Sequence, residues 1–296
     1  MRLDDRPSYS LDVRSTAVYV ALHCGCLLLF VAGDVIKGMA VCLSSYLLRI
    51  FFLTAVYHRY FAHRSYCTSR ALQFCLGLLG TLAMQRGPLW WAATHRTHHR
   101  YSDTARDLHS PHVHGFFYSH FLWFLDKRNI STDYSAVMDF VRFPELRWLD
   151  NELVYLPFVA MYGVGLYLLF GLSGFVWGFF VSTIWIHHTT HWVQSMSHSI
   201  GGYRRFETAD QSRNHWLLGI VSLGEYHNNH HFRPSSARQG VTWWELDLAY
   251  VVLSLMRSCG LIWSLRNLFW KLRYDPPVRQ HVGVDRIKLD TSGVGK

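Results

Sequence analysis

Four apolar runs, set as two closely spaced pairs, constrain this chain more than any other feature. Thr16 to Gly33 is broken only by His23, and Val35 to Tyr57 contains Lys37 and Arg49. Leu153 to Phe170 and Gly174 to about Val193 come later, joined by the short uncharged Gly171-Leu172-Ser173. Each run is near the ~20 residues that cross a bilayer core at about 1.5 Å per residue. Backbone groups in lipid must be bonded within their own segment, so such runs fold as helices. The expectation is an all-α membrane protein with four transmembrane helices in two hairpins, at about 16–33, 35–57, 153–170 and 174–193. Composition agrees: of 296 residues 50% are hydrophobic, 16% aromatic and only 17% charged, which is too apolar for an ordinary soluble domain. The residues before Thr16 are polar and no small-residue cleavage site follows the first run, so that span is expected to stay.

Four spans put both termini and the segment Tyr57 to Asn151 on one side. Arg2, Arg6 and Arg14 precede the first span and Arg59, Arg64 and Arg70 follow the second, whereas the turns on the other side carry almost no positive charge. The positive-inside rule therefore predicts cytoplasmic termini and a cytoplasmic cap made of residues 58–152 and 194–273. Residues 1–273 read as one integral-membrane domain and 274–296 as a loose tail. The net charge of +9 suits anionic head groups, an acidic redox partner or a phosphorylated carrier. Nucleic acid is not expected, since no reading motif accompanies the charge. Six cysteines without a CxxC pair read as reduced, apolar packing residues. Ala71 to Met84 and Trp243 to Trp263 read as helices lying on or packed beneath the membrane face.

The predicted cap is rich in histidine. His58 and His63 lie in HRYFAH, His95, His98 and His99 in HRTHH, and His227, His230 and His231 in HNNHH. Residues at i, i+3 and i+4 share one helix face, so each HxxHH triplet is expected to aim its rings at one point. A structural zinc site is filled by four ligands and usually includes cysteine, so eight imidazoles point to two ions. Imidazole suits zinc, copper, iron and nickel alike, which leaves the metal open on residues alone.

The runs Tyr57 to Gly80, Gly87 to Pro111, Gly115 to Leu125 and Gly224 to Pro234 closely resemble the membrane-bound acyl-CoA delta-9 desaturases, the bacterial branch above all. The resemblance covers about Arg49 to Pro234. It implies four transmembrane helices under a cytosolic helical cap in the bacterial inner membrane, two iron ions (Fe2+/Fe3+) held by nine histidines, and O2 as co-substrate. Eight of these histidines match directly, and His198 supplies the ninth. Gln194 stands where the family has an Asn that contacts one iron through water, and His191 where a Trp is usual. Asp103, Asp107, His109 and Glu225 are the implied groups that orient the rings. Arg49, inside the second span, is expected to pair within the protein, and His187 and His188 to lie at the inner end of the fourth.

A long acyl chain has no polar handle near the bond to be oxidised, so its position must be set by an apolar tunnel and a held head group. Trp90, Trp91, Phe117, Tyr118, Trp123 and Trp185 are the expected wall. Lys127 and Arg128 align with a basic pair that faces coenzyme A in animal members, but the Arg-Asp before the animal HxxHH is Ala93-Thr94 here. The acyl group then rides on coenzyme A, an acyl carrier protein or a membrane lipid. A fused ferredoxin or rubredoxin would need a cysteine cluster and a b-type cytochrome a further domain, so electrons are expected from a separate donor of one of these kinds. Three readings follow: a fatty-acyl desaturase forming a cis, delta-9 double bond; a related di-iron hydroxylase or acetylenase; and a membrane protein that only binds metal.

Overall fold

The computed structural model describes residues 9–269. Among these, three helices are long and apolar enough to cross a membrane: Val13–Phe30, Val35–Ala62 and Glu152–His198. The first comprises α1 (Val13–Cys26) and a closing 3-10 turn, and the second comprises α2 (Val35–Phe51) and a π-helical extension, Phe52–Ala62. Asp12 and Asp34 cap these helices by accepting from the backbone N–H groups of Ser15 and Lys37.

The third helix has 47 residues, about 70 Å at helical rise and more than twice a bilayer core. It does not run straight. Gly171 has φ 69° and ψ −165°, a conformation that only glycine adopts readily. A Cβ at Gly163 would lie 3.2 Å from Phe175 and 3.3 Å from Phe179, so the leg after Gly171 folds back along the leg before it. The predicted turn Gly171-Leu172-Ser173 thus contracts to one non-helical residue. Ser173 Oγ donates to the carbonyl of Asp34 at 2.7 Å, which fastens the two hairpin turns together at the end away from the histidines.

Between the apolar helices lie α3 (Arg70–Thr81) and α4 (Pro88–Tyr101), and after them come α7 (His227–Phe232) and α8 (Leu248–Ser258); the two α-helical parts of Glu152–His198 are α5 (Glu152–Phe175) and α6 (Ser182–Ser195). Helix α3 packs into the core, with Leu76, Gly77, Gly80 and Thr81 buried. A Cβ at Gly80 would fall 2.1 Å from the Tyr57 ring, so glycine is needed for α3 to approach the second helix. The helix expected over Trp243 to Trp263 is shorter. It ends where Gly260 takes φ 71°, and Ile262–Trp263 instead pairs with Cys67–Thr68 as a two-stranded antiparallel sheet. This sheet qualifies the all-α expectation. Cysteine packing is also less uniform than expected, since only Cys42 is buried and Cys24, Cys75 and Cys259 are exposed. The segment expected to be a loose tail lies outside the described residues.

Arg49 is fully buried and pairs within the protein as expected, though with neutral oxygens: it donates to the Leu82 carbonyl at 2.7 Å, to Ser182 Oγ at 2.7 Å and to Thr183 Oγ1 at 2.6 Å. It ties α2, the end of α3 and α6 together.

Candidate metal centre

Four elements bring the histidines together. His58 belongs to the π-helical extension and His63 follows it; His95, His98 and His99 are on α4; His198 ends the 3-10 turn after α6; His227, His230 and His231 are on α7. On an α-helix residues five apart are turned by about 140° from one another. The π-helical bond from the His63 N–H to the His58 carbonyl, 3.2 Å, instead sets these two rings 5.0 Å apart. A π-helical turn of this kind often marks a functional site.

Two groups form. His58, His63, His95, His99 and His230 make the first and His98, His198, His227 and His231 the second, the ligand atoms in each lying within 4.8 Å of one another. Each HxxHH triplet is therefore divided, which corrects the expectation that its three rings share one point. In HRTHH the i, i+4 pair His95 and His99 joins the first group and His98 the second, whereas in HNNHH the pair His227 and His231 joins the second and His230 the first. Adjacent residues on a helix differ by about 100°, so His98 and His99 cannot face one point, and two ions suit the pattern better than one.

The ring orientations fit a cation. His58 Nδ1 donates to Glu225 at 2.9 Å, His98 Nδ1 to Asp107 at 3.0 Å, His198 Nδ1 to Asp103 at 2.8 Å and His231 Nδ1 to Asp210 at 2.7 Å. A neutral ring that donates from Nδ1 has a bare lone pair on Nε2. These bare nitrogens point inward: His58 Nε2 is 2.9 Å from His230 Nε2, which is 2.7 Å from His99 Nε2, and His198 Nε2 is 2.8 Å from His227 Nε2. The Nε2 atoms of His63, His98 and His231 are buried without a partner. Where both facing nitrogens are bare, lone pairs this close repel unless a positive charge lies between them. An all-nitrogen set with carboxylates behind it suits zinc, iron or copper.

The charges are arranged to keep most of the rings neutral and the outer acids ionised. Burial pushes His63, His95, His99, His227 and His230 well below the usual histidine value, and crowding by other rings adds to it. His231 falls to about 4 by burial, against the pull of Asp210. For His98 burial lowers the value, but the charge and hydrogen bond of Asp107 more than offset it. Burial works against ionisation of Asp103, yet its bond to His198 holds it at about 2; Asp107 and Asp210 are held lower still by His98 and His231.

Of the expected orienting groups Asp103, Asp107 and Glu225 each hold a ring, whereas His109 stacks on His98 at 4.4 Å without bonding to a ring of either group. Asp210 was not foreseen from the sequence. It precedes its ring by 21 residues in an irregular loop, a separation with no periodic signal. If it acts as an outer partner, Asp210→Asn should lower metal affinity about 10- to 100-fold with the protein still folded, which metal analysis across a chelator series would measure.

A cleft spanning about 970 Å³, part of it open to solvent, reaches this centre, lined by His95, His109, His191 and Gln194 and also by Arg14, Ser15, Arg86 and Glu152. Trp90, Trp91 and Trp123 form its wall as expected. Phe117 does not, being 64% exposed; Tyr118 is buried against Asp126, and Trp185 is stacked on Tyr46 at 4.0 Å. A second space of about 500 Å³, lined by Ile50, Leu53, Thr54 and Ser222, shares Trp91, His95, His109 and Gln194 with the first. Gln194 Oε1 accepts from the Trp123 indole at 3.1 Å. Lys127 and Arg128 are exposed, two and three residues beyond the wall residue Leu125, and Arg128 is bound to Asp126.

Comparison with known proteins gives a consistent result. The fatty acid desaturase family model matches residues 37–259. The sn-1 stearoyl-lipid 9-desaturase of Anabaena variabilis is 34% identical over 85% of this chain and 93% of its own. Delta-9 acyl-lipid desaturase 1 of Arabidopsis thaliana is 37% identical over 71% of this chain and 68% of its own, and acyl-CoA 5-desaturase AL21 of Anemone leveillei is 35% identical over 72% and 66%.

Proposed function

Because this chain belongs to the fatty acid desaturase family and is thus an oxidoreductase, we propose that it introduces a cis, delta-9 double bond into a long acyl chain at a di-iron centre. The observation that carries the reading is that both histidine groups line the second space, through His58, His95, His98 and His227, and that His95 and Trp91 join it to the tryptophan-lined cavity. In this reading His58, His63, His95, His99 and His230 hold one iron and His98, His198, His227 and His231 the other, with Gln194 beside them, directly or through water. When bound, the irons supply the redox chemistry that activates dioxygen. The net step removes one hydrogen from each of two neighbouring methylenes and forms the C=C bond; dioxygen, two electrons and two protons yield two waters. The electrons come from a separate ferredoxin, rubredoxin or b-type cytochrome docking on the basic cap.

The protein's own part is positioning. Trp90, Trp91 and Trp123 exclude water and hold the chain against His95, and the shared wall residues let its distal part continue into the second space. The four carboxylates keep the inner nitrogens of His58, His98, His198 and His231 free of a proton. Arg14 and Arg86 share one partner, Glu152, so the three groups together carry only one positive charge for a polyphosphate. That favours a membrane lipid as carrier over coenzyme A or acyl carrier protein, with Lys127 and Arg128 at the rim for its head group. The break at Gly171 supports four spans, and the arginines flanking the first two favour termini and centre on the cytoplasmic side, in this reading that of the bacterial inner membrane.

The test is expression in an aerobic host with location of double bonds by gas chromatography and mass spectrometry. A new cis monounsaturated acid, appearing first in complex lipids, is the expected result. First appearance in acyl-CoA would move the carrier, and a hydroxy or acetylenic acid would replace desaturation by the oxygenase reading.

A further inference from the structure

A third histidine cluster lies outside both groups of the metal centre. His120 sits in the single π-helical turn Tyr118–Leu122, and His188 and His191 lie on α6; their ligand atoms are within 4.8 Å of one another. His120 and His191 are almost fully buried, at 1% and 3% exposure, and no carboxylate or thiol belongs to the cluster.

The hydrogen bonds around these rings fix their tautomers. Ser195 Oγ gives its proton to the His191 carbonyl at 2.7 Å, so it can only accept from His120 Nδ1, 3.0 Å away. His120 Nε2 is then bare. His23 on α1 donates from Nδ1 to the Tyr19 carbonyl at 2.8 Å, so its Nε2 is bare as well. His188 stands between them, with Nδ1 3.1 Å from His120 Nε2 and Nε2 3.5 Å from His23 Nε2. A neutral His188 has one proton for these two acceptors. If it serves His120, two lone pairs oppose each other at His23; if it serves His23, they oppose each other at His120. The row is one positive charge short. The third ring adds to the deficit, because His191 is buried and its Nδ1 has no partner.

A metal ion between His120 Nε2, His188 Nδ1 and His191 resolves this. His188 Nε2–H then donates to His23 and His120 Nδ1–H to Ser195, the outward bonds that ligating imidazoles characteristically make. Three neutral imidazoles match the protein ligand set of an open zinc site. We propose that His120, His188 and His191 bind a third metal ion of the zinc class, distinct from the two irons, which pins the turn 118–122 to α6 behind the cavity wall. His191 links the two places, since it also lines the cavity one helical turn from Gln194.

The test is metal analysis of the purified full-length protein loaded with iron and equilibrated with Zn2+, then with Co2+ as a coloured stand-in. The expected result is two irons and one zinc per chain, with intense visible bands of low-coordinate cobalt. His188→Ala should remove the zinc and the bands with iron unchanged. His23→Phe, which takes away only the outward acceptor, should weaken zinc about 10- to 100-fold, a change that a merely structural histidine would not produce. Two irons with no stoichiometric zinc overturns this site alone; zinc that persists in both variants also overturns it. Loss of iron with zinc retained would count against the proposed function and leave the third site standing.

Discussion

His230→Ala is expected to abolish product formation, with at least about a 10³-fold loss, and to reduce bound iron below two per chain. An outer partner such as Asp210 is worth about 10- to 100-fold. His230 sits further in: it is fully buried and its Nε2 lies between those of His58 and His99, at 2.9 and 2.7 Å. Its Nδ1 faces the Gln239 amide at 3.3 Å, and the Oε1 of that amide has no partner as placed. Reversing the amide would let Oε1 accept the Nδ1 proton and leave Nε2 bare, as at the carboxylate-held rings. Product analysis and iron analysis on the same membranes check the expectation. Full activity in the variant would remove His230 from the centre.

The second large effect is on stability. Arg59 is completely buried, donating to Asp247 at 2.8 Å, to the Ala237 carbonyl at 2.6 Å and to the Gly224 carbonyl at 3.1 Å. Asp247 also caps α8 at the Tyr250 N–H and accepts from the Gln239 N–H. Asp247→Leu leaves the guanidinium buried and unpaired, a change that costs about 3–5 kcal/mol. Against a typical total of about 5–15 kcal/mol this is severe. The variant should unfold at markedly lower temperature in detergent, and its iron should go with it, because the same arginine holds the turn leading to Glu225 and His227. Removing the charge as well, in Arg59→Met/Asp247→Leu, should restore part of the stability. A variant as stable as the parent would show that the pair is solvated in the protein.

The sequence disclosed the apolar runs and the eight motif histidines because both are periodic: a bilayer sets the length of one and a helix turn the spacing of the other. It also exposed the pairing of Arg49, since a charge in an apolar run needs partners. What it concealed depends on backbone departures and on long loops. The HRYFAH spacing has no meaning on an α-helix and makes sense only with the π-helical bond between His58 and His63. The division of each HxxHH triplet follows from how α4 and α7 oppose each other, which no single helix encodes. Asp210 and Gln239 reach their rings from irregular segments. Phe117 and Trp185 were assigned to the cavity wall by aromatic character alone, and that character does not say which side of an element faces inward.

Helix α1 forms one side of the cavity through Arg14, Ser15, Val18, Tyr19 and Leu22, yet within α1 only Leu22 and Gly25 are buried. Most of its surface is left for the surrounding lipid to cover. The fit around the head end of the substrate is therefore shared between protein and bilayer, and lateral pressure and acyl order in the membrane help to set how closely that side closes. On the proposed function, a product that loosens the bilayer would also loosen the lipid that backs this side of the substrate space.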